Sequence, residues 1–306
     1  MSDTGQPRVA AIVVTWNGGD VTRRCVDSVR RSRNADVFVV IVDNGSTAAE
    51  RSALAQAWTG VSGVELVLLD ENRHFAGGVN AGVARALDRG ATHLLVMNND
   101  TELAEDCIEI LLDAWRGRPD AGIYGPALLD LGDRHPLSLG ERYAAWSLAV
   151  PRTLLKVRST GDGRPYRVGG IMGSVILITR KCFESTGPYR EDLLVYYEEV
   201  DFCLRARRRG FQPILAPRAV ALHDGLSGFT AGLQPYAARL KCRNPVWLIR
   251  EHGTVVDRLL FAPVFAAVIT GSALLYAARG RWDIVKAMVK GAIEGWRGVP
   301  ASGSPS

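Results

Sequence analysis

The chain has 306 residues, 47% of them hydrophobic, with 37 Lys and Arg against 32 Asp and Glu and a formal net charge of +5. That is enough for a sizeable core, as one large domain or one domain plus an appendage, and the basic excess is too small to imply a nucleic-acid partner. Cys25, Cys107, Cys182, Cys203 and Cys242 are scattered, with no C-x-x-C pair, which argues against a disulfide framework or a zinc site and for a reducing cytosol. The opening "MSDTGQPR" has no apolar run of the secretory kind, so a cytoplasmic location is expected.

Val9 to Thr15, "VAAIVVT", is the continuous valine-rich run of a strand covered on both faces. "NGGD" breaks it, and Val21 to Arg33 is expected to be a helix. A second strand, Val37 to Val42, ends at "DNGS", and Thr47 and Glu50 have capping-box spacing at the start of a second helix. Val64 to Leu69 is a third strand. "GGVNAGVARALDRG" is expected to be a helix that begins at its glycines and stops at Gly90. His93 to Met97 is a fourth strand, and Glu102 to Arg116 a further helix. This alternation predicts an α/β fold with a doubly wound, mainly parallel sheet, whose ligands bind beyond the carboxyl ends of the strands. "WNGGD", "DNGS" and "NND" each follow a strand and are therefore expected on one rim.

Asp130 to Pro165 lacks a clear period and is expected to form loops over the site. Val168 to Thr179 has strand character, Tyr196 to Arg209 is helical, Pro213 to His223 is extended, and the pattern from Gln234 onward is helical.

Three segments combine residue types suited to chemistry. In Asn98-Asn99-Asp100, one carboxylate and two amides can hold Mg²⁺ or Mn²⁺ against a substrate phosphate, or the same residues can cap a helix. Glu198, Glu199 and Asp201 crowd three carboxylates into four positions. Crowding favours a proton on one of them and suits a general base; the alternative is a solvated face paired with Arg205, Arg207 and Arg208. Gly77 and Gly78, flanked by Asn72 and Asn80, offer either a backbone anion site at a helix start or a tight turn. No dinucleotide fingerprint, P-loop, serine-hydrolase elbow or H-E-x-x-H is present. His223, a lone histidine after a short apolar run, is by itself more readily structural than a ligand.

Taken in order, "TWNGG", "VDNGST", "NRHFAGGVNAG", "MNNDTEL", "GGIMGSVILITRKCFESTGPYRE", "YYEEVDFCLRARRRGF" and "ALHDG" resemble a family 2 glycosyltransferase of the GT-A fold, from about Val9 to about Gly228. The resemblance is nearest to bacterial rhamnosyltransferases and galactofuranosyltransferases of cell-surface glycans. It implies an inverting transfer from a dTDP-, UDP- or GDP-linked sugar to a glycan or lipid-linked acceptor. It implies nucleotide-sugar contacts at Thr15, Asn17, Asp43, Ser46, Asn72, Gly77, Gly78, Asn80, Asn98 and Asn99. "NND" stands where the family has D-x-D, so Asp100 is expected to hold the metal, with His223 completing the site. "YYEEVD" stands where the family has E-D-V-D, which implies Glu199 as base, Glu198 as runner-up and Asp201 as a contact or orienting residue. A degenerate sugar-nucleotide binder, a transferase for a soluble secondary metabolite and a nucleotidyltransferase are the competing functions. The last would be expected to carry a lysine-rich phosphate loop, and "TWNGGD" has no lysine.

The implied layout is a GT-A domain over residues 1–228, with a nucleotide half at about 8–100 and an acceptor half at about 101–228, followed by a helical extension over 229–306. Leu259 to Ala278 carries no charge and is bracketed by Arg258, Arg279 and Arg281, although Pro263 interrupts it. Trp282, Val285, Met288, Val289, Ala292 and Trp296 are spaced to share one helical face. The expectation is a monotopic anchor at the cytosolic face of the inner membrane; the alternative is packing against the core.

Overall fold

The computed structural model describes residues 6–142, 145–149, 161–224 and 234–298. The expected loops over 130–165 fall partly on residues outside this set, and so does the boundary expected at residue 228.

The N-terminal half follows the alternating order. It runs β1 (Arg8–Thr15), α1 (Gly19–Arg30), β2 (Asp36–Asn44), α2 (Ala48–Trp58), β3 (Val64–Leu69), α3 (His74–Asp88) and β4 (His93–Asn98). β1 pairs in parallel with β2 and with β4, and β2 with β3. Thr15 lies beside Asp43, and Val14 beside Asn98, so the strand ends "T15", "D43" and "N98" share one edge. Residues of β1 alternate between two cores: Ala10, Ile12 and Val14 belong to one, and Val9, Ala11 and Val13 to the other. That alternation is what helices on both faces of a sheet require.

The second half is mixed. It contains β5 (Thr101–Leu103), α4 (Cys107–Gly117), β6 (Gly122–Asp130), β7 (Pro136–Ser138), β8 (Tyr166–Arg167), β9 (Val175–Thr179), α5 (Arg180–Thr186), α6 (Glu198–Arg208) and β10 (Gln212–His223). The sheet order is β3-β2-β1-β4-β9-β6-β10-β5. β9 runs antiparallel between β4 and β6, and β6 and β10 are parallel again.

Two expectations are corrected here. "TEL" is not the start of a helix but the short strand β5, paired antiparallel with β10, and α4 begins only at Cys107. Asn98 to Asp100 therefore do not cap a helix. The helix expected from Gly77 begins earlier, at His74, and its glycines are interior. They serve packing: a Cβ on Gly78 would stand 2.6 Å from Val14 Cγ1, and one on Gly82 2.5 Å from Ile12 Cγ2.

The C-terminal helices are α7 (Pro235–His252), α8 (Val255–Ala278) and α9 (Trp282–Arg297). α7 is continuous with the sheet's core, since Ala238, Cys242, Val246, Trp247, Leu248 and Ile249 join the cluster that holds Ile12 and Val40. α9 lies close on α7: a Cβ on Gly291 would stand 2.0 Å from the Arg239 carbonyl oxygen, and one on Gly295 2.6 Å from that of Arg243. The single apolar face expected for α9 is divided. Met288 and Ile284 are buried, whereas Trp282, Val289, Ile293 and Trp296 are exposed.

Candidate active site

The rim is built from the loops after β1, β2 and β4. Asn17 adopts a left-handed backbone (φ 53°), its N–H donates to Ser46 Oγ at 2.9 Å, and its Oδ1 accepts from Thr47 N at 3.0 Å. These bonds lock the first two loops together. Asp43 is buried; Arg51 Nε donates to its Oδ2 at 3.0 Å and the Ser46 N–H to its Oδ1 at 3.3 Å. A carboxylate has acceptor capacity beyond those two bonds. Arg51 also donates to the Leu69 carbonyl, which fixes its guanidinium above β3.

Several expected ligand contacts turn inward. Thr15 is buried and shares a hydrogen bond with Thr22 at 2.7 Å, and Asn99 Nδ2 donates to the Thr22 and Thr15 hydroxyls at 3.1 and 3.4 Å. A Cβ on Gly18 would meet all three side chains within 2.4 Å, which accounts for a glycine there. Thr15 and the Asn99 amide nitrogen thus support the rim from beneath. Asn72 Oδ1 accepts from Asn44 Nδ2 and from the His74 N–H. Asn80 donates to the Tyr189 carbonyl and to Glu191 and accepts from the Tyr189 N–H. Both asparagines therefore hold backbone, and Asn80 has no amide proton left for a ligand. Gly77 and Gly78 lie beyond the first free N–H groups of α3 and do not form the expected anion site.

Asp100 meets His223 across the pairing of β5 with β10, in which His223 lies opposite Thr101. Asp100 Oδ1 and His223 Nε2 are 3.2 Å apart. Both atoms are buried, yet neither makes a hydrogen bond, because their alignment is poor for one. Two orphaned, buried ligand atoms, one hard carboxylate oxygen and one imidazole nitrogen, fit a divalent cation. Two other clusters among the described residues, Asp130–Asp133–His135 and Asp201–Glu251–His252, have comparable spacing. Their atoms are instead engaged internally: Asp130 accepts backbone N–H groups, and Asp201 pairs with Arg205 and His252.

Glu198 and Glu199 open α6 and are each 6% exposed. Gly173 packs against Glu199: its Cβ would lie 3.2 Å from Cγ and 3.3 Å from Cδ. The next carbonyl, Ser174, accepts the Asn98 N–H at 3.0 Å. The turn before β9 thus links Glu199 to the "NND" edge. Asp201 is placed differently. It is fully buried, accepts from Arg205 Nε at 2.7 Å, and lies 2.8 Å from His252 Nε2. Burial pushes its carboxyl up, but the His252 hydrogen bond and the Arg205 charge outweigh that and hold it below the usual carboxylate value. Both of its carboxylate oxygens are engaged, Oδ2 by Arg205 within α6 and Oδ1 by His252 of α7, as an orienting residue requires.

The segment entering α6 is strained. Leu194, Tyr196 and Tyr197 have φ of 66°, 70° and 72°. Leu194 (ψ −73°) centres a γ-turn closed by the Val195 N–H on the Leu193 carbonyl. Such conformations cost on the order of 1–3 kcal/mol each and need the surroundings to enforce them. The enforcing contacts come from Arg243 and Asn244; the sequence offers Arg243 only as one of the basic residues near the tryptophans of the C-terminal helices, and it does not single out Asn244. Trp16, 57% exposed at the rim, was likewise unassigned.

Comparison with known proteins brings these features together. The family model described as Glycosyl transferase family 2 matches residues 10–185. The chain is 20% identical over 302 residues to a dTDP-rhamnosyl transferase, RfbF, of Shigella flexneri, covering 96% of this chain and 97% of that one. It is 28% identical over 233 residues to an N-acetylglucosaminyl-diphospho-decaprenol L-rhamnosyltransferase of Mycobacterium tuberculosis (strain ATCC 25618 / H37Rv), covering 69% and 74%. Among solved structures it resembles GalNAc-T7 with UDP, GalNAc and Mn²⁺ (TM-score 0.61, 15% identity, 81% of this chain and 48% of that one). It also resembles the mannosyltransferase PcManGT of Pyrobaculum calidifontis with GDP-Man and Mn²⁺ (TM-score 0.55, 17% identity, 97% and 89%). Both likenesses establish the GT-A fold.

Proposed function

The chain belongs to glycosyl transferase family 2, and from that premise we propose that it is an inverting, metal-dependent glycosyltransferase of cell-surface glycan synthesis. Its donor is a nucleoside diphosphate sugar, of the dTDP-rhamnose type first and UDP- or GDP-linked second; the names of the two relatives support that order.

The observation that carries the proposal is the juxtaposition along one sheet edge. The Asp100–His223 pair stands at the end of β4 and β10, and Glu199 is joined to the same edge through Gly173 and Ser174. Asp43, Asn17 and Ser46 form the nucleoside end of the rim. Glu199 accepts the proton of the acceptor hydroxyl, and that oxygen attacks the anomeric carbon as the nucleoside diphosphate departs. One displacement inverts the anomeric configuration. Glu198, next to it at the helix start, is the alternative base. Mg²⁺ or Mn²⁺ held by Asp100 and His223 supplies charge neutralisation for the departing diphosphate.

The proposed layout keeps the nucleotide half at about 8–100 and the acceptor half at about 101–228. The acceptor is a glycan on a lipid carrier, at the cytosolic face of the membrane. α8 supports this: it is 24 residues long, carries no charge after Arg258, is mostly exposed, and turns Leu259, Leu260, Leu274 and Leu275 outward.

The test is nucleoside diphosphate release from a panel of dTDP-, UDP- and GDP-sugars with a polyprenyl-diphosphate glycan acceptor, with Mn²⁺, with Mg²⁺ and with chelator. Turnover with one donor, lost on chelation and reduced about 10²- to 10³-fold in Asp100→Ala, is expected. Acceptor-dependent release that chelation leaves unchanged would overturn the metal assignment. No release from any donor would favour the degenerate binder.

A further inference from the structure

α7 and the segment that carries the carboxylates both lie beyond residues 10–185 of the family match, and α7 grips that segment. Arg243 and Asn244 are both fully buried. Arg243 Nη2 donates to the Asp192 and Leu193 carbonyls, each at 2.9 Å. Asn244 Nδ2 faces the Leu193, Val195 and Tyr196 carbonyls at 3.1, 3.0 and 2.8 Å. Arg243 Nε donates to Asn244 Oδ1 at 2.8 Å, so the two side chains act as one unit. Lys241, also on α7, places its ammonium 4.7 Å from the Tyr196 ring centre. Further along, His252 reaches Asp201 one turn inside α6.

A buried guanidinium is costly unless its protons are used, and no carboxylate lies within ion-pair distance of Arg243 among the described residues. Its Nη2 donates to the backbone of the segment that contains Leu194, Tyr196 and Tyr197 in the left-handed region, its Nε to Asn244, and its Nη1 is buried without a hydrogen-bond partner. α6 starts without a side-chain cap of its own. The direction in which Glu198 and Glu199 leave that start is therefore set by the carbonyls held from α7.

We propose that Arg243 and Asn244 are positioning residues that hold the 192–197 backbone in its left-handed course and so aim Glu199 at the acceptor hydroxyl. The inference rests on Glu199 as base. The C-terminal helices are on this account part of the catalytic apparatus and not only an attachment to it.

The test compares the full-length chain with Asn244→Asp, Arg243→Lys and Glu199→Gln, using the donor that turns over in the panel. Asn244→Asp keeps the shape and the bond from Arg243 but loses every donation to the carbonyls. It is expected to lower kcat about 100-fold, the scale of a misplaced group, with donor KM unchanged. The acidic limb of its kcat–pH profile is expected to move, which a mere loss of folded enzyme does not produce. Arg243→Lys is expected to lose about tenfold in kcat with donor KM unchanged. If Asn244→Asp does not fold, Arg243→Lys decides the matter. Parental kcat and pH profile in the variants, with Glu199→Gln inactive, would overturn the positioning role and leave the base in place. An active Glu199→Gln would instead remove the base assignment.

Discussion

Gly173 shows how a residue with no side chain governs one that has chemistry. A methyl there would press on Glu199 Cγ and Cδ at 3.2 and 3.3 Å, tighter than ordinary contact. Gly173→Ala is therefore expected to shift Glu199 while leaving the donor end of the rim intact. Steady-state kinetics should give a kcat fall of roughly tenfold or more and a donor KM near the parental value; an unchanged kcat would mean that Glu199 yields without consequence. Asp201 acts on stability. Its carboxyl is held below the ordinary value by His252 and Arg205 against burial. Its contribution is thus full above the unfolded value of about 4 and is lost as the pH falls through the lower folded value. Asp201→Asn is expected to cost about 3 kcal/mol at pH 7, since it removes the fully buried carboxylate that Arg205 pairs with. Urea unfolding should show that deficit shrinking towards pH 3; a constant deficit would contradict the assignment. At this scale Asp100, His223 and Glu199 were legible from their places in the resembled motifs, and the fold sets Asp100 beside His223 at the end of β10 and Glu199 at the start of α6. Asn72, Asn80 and Thr15, expected as ligand contacts, have partners within the protein; a polar side chain near a rim can be spent on backbone or on a neighbouring side chain, and only its partners show which.

At the scale of elements, α7 and α9 form the contact on which the positioning of α6 depends. Gly291 and Gly295 let the two backbones approach, and Arg239–Glu294 and Arg250 with the Gly295 carbonyl flank them. Gly291→Ala is expected to force α9 outward at a cost of about 1–3 kcal/mol. Gly271 on α8 has nothing near its Cβ position. Gly271→Ala is expected to be neutral or to gain up to about 1 kcal/mol from helix propensity. Chemical unfolding of the two variants checks the contrast, and equal effects would argue against close α7–α9 packing. The parallel strands β1 to β4 were legible because burial on both faces leaves an uninterrupted apolar run. β5 was not, because its three residues are specified by β10, more than a hundred residues later in the chain. The partners of Arg243 and Asn244 were not legible for the same reason: a helix pattern, and a reading of Arg243 as a basic residue near tryptophans, do not say that their partners are carbonyls 48 to 51 residues earlier.

The whole molecule joins the sheet and its covering helices to an apolar flank. α8 begins with a capping box at Thr254 and Asp257, continues through Pro263, and exposes Val255, Val256, Leu259, Leu260, Leu274 and Leu275. Exposed Trp282 and Trp296 lie near Arg281 and Arg297, a combination suited to the bilayer interface. Phe261 and Phe265 instead stack on each other within the core. The double variant Leu274→Glu with Leu275→Glu is expected to abolish co-sedimentation with liposomes containing anionic lipid, while the parent chain sediments. Sedimentation of both forms alike, or of neither, would contradict membrane attachment through α8. A chain ending near Arg250 is a poorer probe, because it would also strip α9 from α7.

Single displacement with Glu199 as the base is tested most directly by the anomeric configuration of the product. With the donor found in the panel and its acceptor, nuclear magnetic resonance of the product gives the sugar's C1–H1 coupling. The account predicts a configuration opposite to that of the donor. A product with the donor's configuration would contradict it and remove Glu199 from its role.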